Sequence, residues 1–334
     1  MEDKDKPFRF LASWITMEGF EEVVKDNWSN QPDWNHARSR FEMKAREWHH
    51  NVYRQNIKKK NKIYARLSGI DSYQSGWYDH SMEILQRSLW IELREILVRE
   101  ELAWFQRSRC HWLKYGDKNT RFFHSSTVAR RRHNRIVALR NDNGDWVADK
   151  EDLINMAVKY FENLFTADEE ELEEYPVKVF FPGLSNKEKK VMSRIPSHEE
   201  IRKTIFKMGK FKALGPDGLQ TVFFQSHWNI VGNSVCKLIS EIFLDPKKVE
   251  EVNKTLVCLI PKKESPEDMK DFRPISLCNV VYKTVTKIIT ERLKEFMPRM
   301  VAPNQCSFIQ GRQSVDNIII AQEVVHSMRK KKRE

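Results

Sequence analysis

Apolar side chains recurring every three to four residues constrain the first third of the chain more than any other feature. Across residues 33–67, Phe41, Ala45, Trp48, Val52, Ile63 and Leu67 fall at helical spacing with lysines and arginines between them, which predicts one long basic helix. The pattern breaks at the SGIDS run of residues 68–72. It resumes at Leu85, Leu89, Leu93, Ile96 and Leu97, predicting a second long helix that ends near Phe105. A short connection between two long helices favours antiparallel neighbours, so the first hundred residues are expected to be mostly an α-hairpin.

Beyond it the period changes. Residues 135–139 and 145–147 read as two short strands around the NDNG turn of residues 141–144. A helix is expected from Lys150 to Phe165, with the stripe Leu153, Ile154, Ala157, Phe161, Leu164 and Phe165. It runs into the acidic stretch 168–174, which reads as a solvated linker and a domain boundary. After Pro182 the layout becomes α+β. Helices are expected over 199–208, 234–244 and 281–297, interleaved with a buried strand over 255–260 and the turns GPDG (215–218) and PKKESP (261–266).

Charge narrows the partners. The 334 residues carry 58 Lys+Arg against 47 Asp+Glu, a formal net charge of +11, which leans towards a polyanion. At roughly 100–200 residues per domain the length allows two or three domains. The longest apolar runs, 255–260 and 318–321, are far short of the roughly 18–20 residues of a spanning helix, and the MEDKDK start is too acidic for a signal peptide. Five scattered cysteines without a CxxC pair fit a reducing compartment. An intracellular setting, nuclear or cytoplasmic, is expected, with no membrane partner.

Residues 121–135 hold Arg121, Arg130, Arg131, Arg132 and Arg135 without one acid, together with Phe122 and Phe123. Guanidinium groups pair with phosphates and exposed rings stack on bases. Buried phenylalanines and a solvated arginine face are the competing reading. The runs 58–60 and 329–333 are basic too, and read as a solvated face and a chain end. GPDG is a turn by its chemistry. Two strand-like runs joined by the loop after Pro261 could aim Lys262 and Arg273 at one phosphate group, although basic residues at strand ends are common. No HExxH, GxGxxG, P-loop, GxSxG or Asp-Asp pair occurs.

Several longer motifs resemble a known family in the right order. The run WLKYGDKNTRFFH (112–124), RRHNRI (131–136) and YFENLF (160–165) look like a linker between endonuclease and polymerase. KALGPDGL (212–219) with FFQSHW (223–228) looks like the opening of the polymerase, and LIPK (259–262) with DFRPISLCN (271–279) like its fingers. Asn304, Gln305, Phe308, Gly311, Arg312, Asp316 and Asn317 look like the block before the palm. Together they resemble the reverse-transcriptase polyprotein of LINE-type (non-LTR) retrotransposons, in its plant form.

The resemblance implies a fold that is mainly α with an α+β C-terminal half: a helical linker followed by the truncated fingers of a right-hand polymerase. It implies an endonuclease-proximal segment over 1–30, the linker over 31–175 and fingers over 176–334. Lys262 and Arg273 would contact the triphosphate of the incoming nucleotide. Gln305, Phe308 and Arg312 would lie near template and nucleotide, and the arginines of 121–135 would meet element RNA or target DNA. The family's catalytic palm aspartates would follow residue 333 and its endonuclease motifs would precede Phe8. The expectation is therefore a fragment of an RNA-directed DNA polymerase, with no catalytic or metal-binding residue of its own and with Mg2+ implied only for the intact family. The alternative is a non-enzymatic, nucleic-acid-binding helical module.

Overall fold

The computed structural model describes residues 7–29, 33–73, 80–108, 120–166, 183–302, 305–307 and 309–331. The two long periodicities become α2 (Trp34–Tyr73) and α3 (His80–Ser108), preceded by α1 (Phe20–Trp28). Ile63, Leu67 and Ile70 of α2 close on Leu89, Leu93 and Ile96 of α3. The Lys60–Glu100 ion pair at 2.7 Å and the bond from Gln86 to Asp71 at 3.2 Å make the pair antiparallel. Lysines of the 58–60 run are thus used across the hairpin, since Lys59 also pairs with Glu92 at 2.9 Å.

The expected break at 68–72 does not occur. Helix α2 runs through it to Tyr73, because Ile70 is buried in the seam and the Ser72 hydroxyl donates to the Ser68 carbonyl at 2.8 Å within the helix. Burial outweighs the roughly 1 kcal/mol that Gly69 costs in a helix interior.

After α4 (Thr120–His133), β1 (Leu139–Arg140) and β2 (Trp146–Val147) form the expected hairpin, shorter than the apolar runs suggested. The Asn141 side chain accepts the backbone N–H groups of Asn143 and Asp145, and Gly144 supplies the positive φ of +88° that the turn needs. Helix α5 (Lys150–Phe165) has the expected bounds, capped by Asp149 accepting from the N–H groups of Glu151 and Asp152. Its stripe does not lie wholly inside: Leu153, Ala157 and Phe161 pack with Leu139, Met269 and Phe272, while Ile154, Leu164 and Phe165 are exposed. The acidic stretch 168–174 lies outside the described residues.

The second half runs α6 (Asn186–Ser193), α7 (His198–Phe206), α8 (Thr221–Ser226), α9 (Trp228–Leu244), β3 (Thr255–Pro261), β4 (Phe272–Cys278), α10 (Val280–Lys294), α11 (Met297–Met300) and α12 (Ser314–Lys331). The helix expected over 234–244 starts earlier, at Trp228, and the one expected over 281–297 is split between α10 and α11. Strands β3 and β4 pair antiparallel, with Ile260 opposite Arg273. The strand expected to be buried is largely exposed: Leu256, Val257, Cys258 and Ile260 face solvent, since among the described residues the ribbon has only two strands. The architecture is mainly α with two small ribbons.

The main core joins distant parts of the sequence. Phe8, Phe10, Trp14, Phe20, Trp28 and Phe41 pack with Ile201, Leu219, Phe223, Phe224, Val235 and Val281 in one buried cluster. Segments on both sides of residues 30 and 175 contribute to it.

Candidate nucleotide and nucleic-acid interface

The β3–β4 ribbon positions the two residues expected at the triphosphate. The backbone N–H of Lys262 donates to the Asp271 carbonyl at 2.7 Å, extending the ladder by one pair beyond Pro261 and Phe272. Side chains alternate along a strand, so residues 260, 262 and 273 emerge on one face. Both Lys262 and Arg273 are exposed. They are not equivalent: the Lys262 ammonium donates to the Lys270 carbonyl, whereas Arg273 has no ion pair or side-chain hydrogen bond among the described residues. The neighbouring turn is held by Asp271, which pairs with Lys263 at 2.9 Å and accepts from the N–H groups of Glu267 and Asp268. These bonds, that with Lys263 foremost, push the Asp271 carboxyl down to about 2. Buried Phe272 and Met269 root the ribbon against α5.

Arg312 is engaged within the chain. Its guanidinium donates to the carbonyls of Pro298 at 2.7 Å, Val301 at 3.2 Å, Ala302 at 2.6 Å and Gln305 at 2.8 Å, stapling the chain between α11 and α12. Gln305 is exposed, with a long bond of 3.4 Å to the Ser307 carbonyl, and Phe308 lies outside the described residues.

The arginine cluster divides as well. Arg130 donates to the carbonyls of Ser108 and Arg107, satisfying acceptors at the end of α3. Arg121, Arg131, Arg132 and Arg135 are exposed, and none has an ion pair among the described residues. Of the two phenylalanines, Phe123 is buried and Phe122 is not.

A second polar centre was not legible beforehand. The GPDG turn docks on Asn279, whose side-chain oxygen accepts from the Asp217 N–H at 3.1 Å and whose amide donates to the Val252 carbonyl at 3.1 Å. A side chain at 215 would meet Asn279 at 2.3 Å, and one at 218 would meet the Phe8 carbonyl at 2.1 Å, so both glycines are required. The one sequence signal that points to it is the end of the DFRPISLCN motif on Asn279. Asp217 is 5% exposed and lines a cavity of about 320 Å³ with Trp34, Arg38, Glu251 and Lys254. Burial pushes its carboxyl up to about 6, against the bond it accepts from the Leu219 N–H and the charges of Arg38 and Lys283.

A raised acid pKa means that folding favours the protonated form. The penalty is absent below the unfolded value near 4 and complete above about 6. Asp217→Asn keeps an acceptor for the Leu219 N–H and removes the charge. It is expected to stabilise the chain at pH 7.5 by up to about 3 kcal/mol and to do little at pH 4. Urea melts at the two pH values measure this, and an equal change at both would refute it.

Comparison with known proteins bears on the same region. Residues 260–334 match the family model described as reverse transcriptase (RNA-dependent DNA polymerase). The chain is also similar to the Transposon TX1 uncharacterized 149 kDa protein of Xenopus laevis, at 25% identity over 342 residues covering 97% of this chain. It spans 26% of the length of that relative.

Proposed function

We propose that this chain is a segment of a retroelement RNA-directed DNA polymerase of the non-LTR, LINE-like type, and that its β3–β4 ribbon faces the incoming nucleotide. In this reading residues 176–334 are the N-terminal, fingers part of the polymerase and 31–175 a helical linker that meets RNA or DNA. The observation that carries it is an exposed Arg273, without an ion-pair partner among the described residues, on the same ribbon face as Lys262 and within the stretch that matches the reverse transcriptase family. A guanidinium forks onto two phosphate oxygens, and an ammonium beside it adds a point charge. Arg312 acts by holding the carbonyls of Ala302 and Gln305, and with them Gln305 itself, towards the template.

Magnesium, which the family's chemistry implies, meets no matching donor set: among the described residues no three Asp, Glu, His or Cys side chains converge to hold an ion. The segment supplies nucleotide and strand contacts and extends no primer by itself. Among the described residues no helix is long and apolar enough to cross a membrane. Partners in this reading are element RNA and target DNA, met in the nucleus or cytoplasm.

The test uses a polymerase chain that contains this segment, copying a primed RNA template. Arg273→Ala is expected to raise KM for deoxynucleotide about tenfold or more with kcat little changed, the signature of lost uniform binding. Lys262→Ala is expected to act in the same direction and more weakly. Unchanged KM in both variants would overturn the assignment of the ribbon to the incoming nucleotide.

A further inference from the structure

Three arginines from three separate parts of the sequence converge where the N-terminal strand-like segment, the end of α3 and α4 meet. Gln106 fixes the first two. Its side-chain oxygen accepts from the Ala12 N–H at 2.9 Å, and its amide donates to the Phe10 carbonyl at 2.9 Å and to Gln220 at 2.7 Å. The segment carrying Arg9 is thereby laid along the turn of α3 that carries Arg107. Arg130 fixes the third, because its bonds to the carbonyls of Arg107 and Ser108 hold the end of α4, with Arg131, against the same turn. Phe105 against Phe123 at 5.6 Å and Trp104 against His124 at 4.6 Å complete the contact.

Arg9, Arg107 and Arg131 are exposed, and none has a carboxylate partner among the described residues. Desolvation, then the charge of Arg131 and that of Arg9, lower the Arg107 pKa; Tyr53 is the group that acts the other way. Like charges gathered without a counterion raise the free energy of the fold, and an arriving anion offsets that. Beside them the Arg107 guanidinium lies over the Trp104 ring at 5.1 Å, an aromatic wall of the kind on which bases stack.

We propose that Arg9, Arg107 and Arg131 form one phosphate-binding site for a single nucleic-acid strand, with Trp104 as its stacking wall. The choice of a nucleic-acid strand rests on the function proposed above; the convergence of charge does not. Arg130, although it belongs to the same arginine run, is the fastener that builds the site and is already engaged.

The test is fluorescence anisotropy of the full chain with a labelled 20-nucleotide single strand, as RNA and as DNA of the same sequence, titrated with KCl. Each phosphate that the protein neutralises on a single strand, releasing its counterion, contributes about −0.7 to the slope of log affinity against log salt. Replacing all three arginines by alanine is therefore expected to lower affinity at least tenfold at 100 mM salt and to reduce the slope by about 2. Lys187, Lys189 and Lys190 of α6 converted to alanine remove the same charge and should change affinity less than threefold. Equal binding of RNA and DNA, or a preference for RNA through its 2′-hydroxyl, both agree with the site. Equal losses in the two triple variants overturn it, as does competition by polyglutamate as effective as that by unlabelled RNA. A wild-type chain that binds neither strand overturns the site too, while the KM test of Lys262 and Arg273 stands apart from it. Should the triple variant not fold, Arg107→Ala and Arg131→Ala alone carry the measurement, each with a slope change of about 0.7.

Discussion

Replacing Arg292 with alanine is expected to cost about 3–5 kcal/mol of folding stability, read as a fall in urea midpoint. Arg292 is 7% exposed and forks onto Glu200, with Nε to Oε1 at 2.9 Å and Nη2 to Oε2 at 3.0 Å. It also donates to the carbonyls of Met192 and Arg194 and lies over the Phe243 ring at 5.3 Å. Alanine takes the fork from a partly buried carboxylate, leaving it the longer contact to Arg194 at 3.3 Å, and strips two carbonyls of their donor, which is the costly way to break an ion pair. Lysine cannot reproduce the fork and should recover only part of the loss. The bond to Arg292 is the main reason the Glu200 carboxyl titrates below its ordinary value of 4.5. A depressed acid stabilises the fold above the unfolded pKa and loses that contribution as pH falls through the folded one, so the wild-type chain should weaken in acid below about pH 4.5. R292A should lack that part of the acid dependence. A loss under about 1 kcal/mol, or an unchanged acid limb, would show that the pair contributes little. The anchor matters beyond stability, because α10 starts two residues after β4, and its fastening to the α6–α7 connection fixes the root of the ribbon that carries Arg273.

Local signals were sufficient where one element explains itself. Helix α5 has its expected bounds because its apolar stripe over Lys150–Phe165 follows directly on a capping Asp149. The turn at Gly144 follows from NDNG alone. Contacts between remote residues decided what was misread. The SGIDS run reads as a break until Ile70 is seen to be buried against α3, and the apolar 255–260 run reads as buried until the sheet is seen to hold two strands. In RRR the three arginines are interchangeable as text, yet Arg130 is a helix-end donor while Arg131 and Arg132 are exposed. The four carbonyl partners of Arg312 are set by a loop fold that no periodicity encodes. The nearness of Lys262 and Arg273 could be inferred from the loop between them. The side chain of Lys262, bonded to the Lys270 carbonyl, could not.

Phe223→Ala is expected to be as damaging as the loss of Arg292, about 3–5 kcal/mol, because a ring with no exposed surface is removed from the centre of the main core. Phe223 meets Phe41 at 5.0 Å, Phe10 at 5.3 Å and Trp28 at 5.5 Å from the N-terminal segment, and His227 at 5.3 Å and Phe224 at 5.4 Å from its own side. It is therefore a central link between Phe10, Trp28 and Phe41 and helix α8, beside the contacts of Trp34 with Phe224 and of Trp28 with Ser234. The Gly218 turn just before it makes the same connection through the backbone, where the Phe10 N–H donates to the Gly218 carbonyl at 2.9 Å. A double-mutant cycle with Phe41→Ala separates this contact from simple cavity formation. The double variant is expected to lose about 0.5–1.5 kcal/mol less than the sum of the single losses, as for rings in direct contact, and coupling near zero would refute the shared core. Because the same segment carries Arg9, F223A should also weaken single-strand binding under conditions where most molecules remain folded. Strand affinity retained at its full value would mean that the arginine site is assembled independently of the aromatic core beneath it.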